Sequence, residues 1–149
     1  MTQLLPQYAR WNGDGPIPAI VHSGALKVLI VIEKEMTGTQ QLELARKLIG
    51  AQAFFVCAWG LQCERMHDVV DDVCVEQEVL EKRCANDVPV VMTTWHSKEN
   101  LEEAFWFFRE LAEHPDVPIT SALIFHVADV DKCQELIALH NAVSVEDLR

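Results

Sequence analysis

The chain is expected to fold as an α/β three-layer sandwich, Rossmann-like or flavodoxin-like, built on a four-stranded, mainly parallel sheet. Two observations predict this class. Four apolar runs rich in β-branched residues alternate with four segments of helical period. The runs are almost continuously apolar instead of alternating in and out, as strands covered on both faces require. A length of 149 residues suits one domain. Right-handed crossovers then give the three layers, with an expected strand order of 2-1-3-4.

The elements follow along the chain. Residues 1–24, with "WNGDGPIP", read as an irregular arm, because Gly and Pro interrupt any periodic pattern. Residues 25–141 form the expected domain and 142–149 a C-terminal tail. "ALKVLIVIE" (25–33) is the first strand. "TGTQQLELARKLIGAQ" (37–52) is the first helix. Thr37 and Gln40 stand at capping-box spacing, and Leu42, Ala45, Leu48 and Ile49 share one face. "AFFVCAW" (53–59) is the second strand, followed by a helix over 62–83 with Cys63, Met66, His67, Val70, Val73 and Cys74 on one stripe. "VPVVMTTW" (88–95) is the third strand, and Ser97 is the expected N-cap of a helix over 97–114. "PITSALIFHVA" (118–128) and "DVDKCQELIALH" complete the series.

Composition narrows the function classes. The net charge of −11 opposes nonspecific binding to nucleic acid and docking on anionic lipid. It suits a basic protein partner or a cation. No run approaches a membrane span, and the N-terminus shows no basic region leading into an apolar run, so a bacterial cytoplasm is expected. Cysteines at 57, 63, 74, 84 and 133 are odd in number and contain no CxxC, which reads as reduced thiols. There is no GxGxxG and no Walker lysine, so no nucleotide cofactor is expected.

In such a sheet, ligands collect beyond the carboxyl ends of the strands. Four corners gather there: Glu33-Lys34-Glu35, Trp59-Gly60 leading to Cys63, Thr94-Trp95-His96, and Ala128-Asp129. Cys63 and His67, four apart on a helix, could join His96 as metal ligands or as a thiol–imidazole pair. The plainer reading, cysteines in the core and a histidine at its edge, weighs more. His96 is a candidate acid–base group or, more simply, a loop histidine at a helix start. His126, inside an apolar strand, reads as a core histidine. Asp68, Asp71 and Asp72 fall off the apolar stripe and read as a solvated face.

The helix "LEEAFWFF" turns Leu101, Ala104, Phe105, Phe108, Leu111 and Ala112 toward the sheet. Trp106 points nearly the opposite way, among Glu102, Glu103, Arg109 and Glu110. An indole ringed by charge has the anatomy of an interaction hot spot. It could also lie on Arg109 as a cation–π pair or be covered by the N-terminal arm.

Taken as a set, "AWGLQC" (58–63), "VMTTWH" (91–96), "LEEAFWF" (101–107) and "HPDV" (114–117) resemble a family of small bacterial proteins known only as a domain of unknown function. The resemblance covers about residues 27–127 and is poor from Cys74 to Asp87. It implies that Trp59, Gly60, Cys63, Trp95 and His96 form a signature, for folding or for function. It implies no reaction, substrate or cofactor.

Three functions are weighed. A non-catalytic protein-binding or regulatory module, self-associating or with a foreign partner, rests on acidic charge and Trp106. An enzyme or metal-binding protein would use Cys63 and His96. A small-ligand sensor would wall its pocket with Trp59 and Trp95.

Overall fold

A computed structural model describes residues 4–80 and 89–143. Nine elements run in the order β1 (Gln7–Trp11), β2 (Ala25–Ile32), α1 (Gly38–Gly50), β3 (Ala53–Gly60), α2 (Cys63–Leu80), β4 (Met92–His96), α3 (Leu101–Glu110), β5 (Ile119–Val127) and α4 (Cys133–Ala142). The class is the expected one: an α/β fold on a parallel sheet. Two details differ. The sheet has five strands, in the order β1-β5-β2-β3-β4, and every pairing is parallel.

The additional strand lies in the segment read as an irregular arm. Gln7–Trp11 pairs along β5, with Tyr8 opposite Ile124 and Arg10 opposite His126. It is a short edge strand with one fully buried residue, Trp11, so it lacks the continuous apolar signature of the inner strands. Trp11 is 3% exposed and its Nε1 donates to the Gly15 carbonyl at 3.3 Å. The glycines of "WNGDGPIP" therefore shape a turn that closes over Trp11.

The strand order departs from 2-1-3-4 because periodicity marks an element without saying on which flank of the sheet it lands. From β2 the chain steps outward to β3 and β4, then crosses back so that β5 sits on the other flank of β2. The two faces follow from this path. Val28, Ile30 and Ile32 of β2 pack with Leu44 and Leu48 of α1 and Met66 and Val70 of α2. Leu29 and Val31 face the other way, with Phe105 and Phe108 of α3 and Leu136 of α4. All eight β2 residues are buried, as the central strand of a three-layer sandwich demands.

Side chains set the starts of α1 and α3. At α1 the expected capping box is present: Gln40 N–H donates to Thr37 Oγ1 at 3.1 Å and Thr37 N–H donates to Gln40 Oε1 at 2.8 Å. The same Gln40 donates through Nε2 to the Gly13 carbonyl at 2.7 Å, tying the β1 turn to α1. At α3 the cap is Asn100, whose Oδ1 accepts from Glu103 N–H at 2.8 Å, and not Ser97. Residues 97–99 instead extend the corner after β4. The last residues of the expected 62–83 helix, Cys84, Val88 and the tail beyond 143 lie outside the described residues. Among the described residues no helix is long and apolar enough to cross a membrane.

Trp11→Ala is expected to cost about 3–5 kcal/mol of stability, the usual range for emptying a buried aromatic site. A denaturant titration checks this; a loss under about 1 kcal/mol would mean that the N-terminal segment is not an integral strand.

Candidate functional site

The parallel sheet puts all strand ends on one rim, and the direction of the connections changes between β2 and β5, beside the exit of β2. Glu33 extends the ladder past β2, its N–H donating to the Val127 carbonyl at 2.9 Å. The side chain of Glu33 is gripped from behind. Its Oε1 accepts from Nε2 of His126 at 2.5 Å, and its Oε2 lies 3.1 Å from Lys132 Nζ. His126 is fully buried, and its Nδ1 meets the Tyr8 hydroxyl at 2.6 Å. Tyr8 oxygen in turn accepts the Lys132 backbone N–H at 3.2 Å, at the start of α4. A carboxylate cannot donate, so Nε2 of His126 carries the proton toward Glu33. Burial opposes ionisation of Glu33, yet the bonds from His126 and Lys132 outweigh it and hold this carboxyl below its usual value of 4.5.

A second histidine–carboxylate pair lies at the end of β4. His96 is 5% exposed; its Nδ1 is 2.9 Å from Glu99 Oε2 and its Nε2 3.0 Å from Thr94 Oγ1. Its ring leans on Phe107 at 4.9 Å between centroids. Between the pairs stands Trp59, whose Nε1 donates to the Glu99 carbonyl at 2.9 Å. Glu33, Trp59, His96 and Glu99 line a cleft of about 420 Å³, floored by Ile32 and Gly60.

Gly60 explains how the cleft floor stays tight. Its φ is +99°, and a Cβ there would sit 2.2 Å from the Ile32 carbonyl oxygen, which accepts the Leu61 N–H at 2.9 Å. Gln62 then brackets Met36, accepting from its N–H at 2.8 Å and donating to its carbonyl at 3.1 Å. The β2 and β3 corners are thereby laced together.

The residues singled out in the sequence are only partly brought together. Trp59 and Trp95 emerge at the same end of the sheet but on opposite faces, because Trp95 pairs with Ala58 and His96 with Trp59. Trp59 packs against the α3/α4 cluster, whereas Trp95, 43% exposed, lies over His67 of α2 at 4.5 Å between ring centroids. The two indoles therefore do not wall one pocket. Cys63 packs beneath α1 and α2 in an adjoining recess with Gly60, Gln62 and Arg65, on the face opposite His96. His67 turns to Asp68 and Asp71. Among the described residues no group of three or more His, Cys, Asp or Glu is arranged to hold a metal ion.

Trp106 is half-buried, not ringed by solvent, and packs against the second cluster, as do Ile137 and Leu139 of α4. Helical period alone did not reveal that a neighbouring helix flanks α3. Arg109 is likewise occupied: Nη1 donates to the His140 carbonyl at 2.8 Å, Nη2 donates to the Val143 carbonyl, and Nε meets Glu110 at 2.8 Å. The four described cysteines are free; burial pushes Cys57 up to about 12 and Cys74 to about 11. His126 is the core histidine that its apolar strand suggests. Its partners Tyr8 and Glu33, which make it part of the rim, are 118 and 93 residues away and invisible to local pattern.

Residues 6–142 match the family described as Domain of unknown function (DUF7684). The chain belongs to that family. Searches of curated proteins and of solved structures returned no match. The match takes in β1, whose Tyr8 supports the rim, so the N-terminal strand is part of the DUF7684 domain and not an appendage.

Two outcomes are expected in solution. The Glu33 carboxyl, followed by carbon-detected NMR, should titrate below 4.5. Its stabilising contribution is then complete above that value and is lost as pH falls through the lower folded midpoint. The unfolding free-energy gap between wild type and Glu33→Gln should therefore shrink on acidification; a gap that widens would contradict the assigned bonds. Gly60→Ala should destabilise the domain by at least about 1–3 kcal/mol from backbone strain, measured by thermal unfolding.

Proposed function

We propose that this DUF7684 domain is a binding module for a small ligand that carries an ammonium or similar cationic group, taken up in the rim cleft. One observation carries the reading: the Glu33 carboxylate is fixed in its ionised form at the switch point of the sheet by a buried histidine, on a cleft that also presents Glu99 and the indole of Trp59. An aromatic surface flanked by carboxylates favours a cation through both charge and the ring quadrupole. Pre-orientation by His126, His96 and Lys132 lowers the entropy that a flexible carboxylate would lose on binding. The net charge of −11 draws cations toward the domain at long range.

The protein-binding reading rests on the acidic charge together with Trp106, and that indole is half-buried. The catalytic reading paired Cys63 with His96, which occupy opposite faces of the sheet. The ligand-binding reading keeps Trp59 as a wall, replaces Trp95 with Glu33 and Glu99, and asks for no reaction. A bacterial cytoplasmic setting remains part of the proposal.

The test is a titration of the labelled domain with small diamines and guanidines, and with carboxylates of matched size. Amines are expected to shift the Trp59 indole N–H signal and raise the melting temperature, while carboxylates do neither. Glu33→Gln should weaken amine binding by about ten- to a hundredfold, the range for losing a charged hydrogen bond. Absence of any amine response, or binding insensitive to Glu33→Gln, would overturn the proposal.

A further inference from the structure

At the end of the sheet opposite the rim, a recess of about 520 Å³ opens beside Lys27. We propose that Lys27 is a reactive amine that condenses with a small aldehyde or ketone entering this recess. The site is distinct from the rim cleft and does not depend on it.

Lys27 is the one charged residue of β2 and shares the face of Leu29 and Val31. It is only 6% exposed. Among the described residues no carboxylate lies within ion-pair distance of it. Its Nζ instead donates to the carbonyls of Phe108 at 2.7 Å and Arg109 at 3.4 Å, and stands 5.0 Å over the Phe108 ring. A buried ammonium without a counter-charge is costly, so burial shifts Lys27 toward the uncharged amine relative to an exposed lysine. A neutral amine has two N–H groups. Two carbonyls can accept them both, which leaves the lone pair without a partner. Burial pulls the Lys27 amine down from its ordinary value, while Cys57, Glu113 and Glu110 pull the other way without prevailing.

The recess supplies what a condensation needs. Ala112, Val117 and Ile119 offer apolar wall to the carbon chain of the substrate, and Glu110 and Glu113 offer carboxylates at its mouth. Arg109 and His114 also line it. Both are already engaged, Arg109 with the end of α4 and His114 with the Val90 carbonyl at 2.5 Å, so they shape the recess more than they bind within it. The carbonyls of Phe108 and Arg109 hold Nζ against a helix end, which restricts its rotamers before any substrate arrives.

The step balances without a further reagent. The lone pair of Nζ attacks the carbonyl carbon, the C–N bond forms and the C=O π electrons move to oxygen, which takes a proton. The nitrogen then loses a proton to a wall carboxylate, giving a carbinolamine. The carboxyl returns that proton to the hydroxyl, which leaves as water as the nitrogen lone pair forms the C=N bond. The iminium gives up its remaining N–H proton to solvent, replacing the one the oxygen first took, so that an imine remains. Nothing is oxidised or reduced.

The test uses the full chain at pH 7 with propanal or glyoxylate, sodium cyanoborohydride to fix any imine as a secondary amine, and peptide mapping. Lys27 is expected to acquire the adduct several-fold faster than the exposed Lys47 and Lys98, because more of it is uncharged at this pH. Its pH profile should rise at lower pH than theirs, and in urea the three should label alike. If Lys27 in the folded chain labels no faster than Lys47 with both probes, it serves only to cap α3 and the proposal fails.

Discussion

The structure depends on β2 being sandwiched, in parallel, between β3 and β5. Eight consecutive buried residues leave this strand no solvent face, so it can only be covered by helices on both sides and by a neighbour along each edge. Short connections carry the chain from β2 through α1 and α2 to the far edge, which leaves the other flank for β5. Once β5 is there, His126 stands beside the exit of β2, and Glu33, the first residue beyond that strand, meets it. The Glu33–His126 contact is thus a product of topology before it is a product of side chains.

Charge at the rim is organised by the same placement. Each of two histidines is buried and each meets a partly exposed carboxylate, Glu33 for His126 and Glu99 for His96. The imidazoles gain a partner that compensates their burial, and the carboxylates gain a fixed direction. Trp59 lies between, anchored by its own N–H. The arrangement is rigid on the side of the protein and open on the side of the solvent, which is what a recognition surface requires. The opposite end of β2 shows the contrary logic: Lys27 is buried against helix carbonyls with no carboxylate bonded to it.

Much of this was legible in the sequence because continuous apolar runs and helical stripes are local properties. The runs at 25–33, 53–59 and 118–128 match β2, β3 and β5 closely, and the Thr37/Gln40 box marks the start of α1. The rest was hidden for identifiable reasons. β1 is a five-residue edge strand with a mostly half-buried face, so Gly and Pro beside it dominated the reading. Strand order depends on which flank a crossover reaches, which no residue encodes alone. Trp106 is half-buried because it packs against the cluster that α3 and α4 build together, a tertiary fact. At the site, Trp59 and His96 were found through their strand-end positions. Tyr8 and Glu33 acquire meaning only from partners about a hundred residues away. One signal could have pointed to them: a histidine near the end of a buried strand needs two partners, and in a parallel sheet those come from the neighbouring strands on either side.

The adjacency of β2 and β5 at the rim is tested most directly by nitrogen-15 NMR of the imidazole of His126. The account predicts a proton resident on Nε2, slow to exchange with water and coupled to the Glu33 carboxyl, and a spectrum that changes in Glu33→Gln. An His126 imidazole with Nε2 unprotonated, or one indifferent to Glu33→Gln, would contradict it.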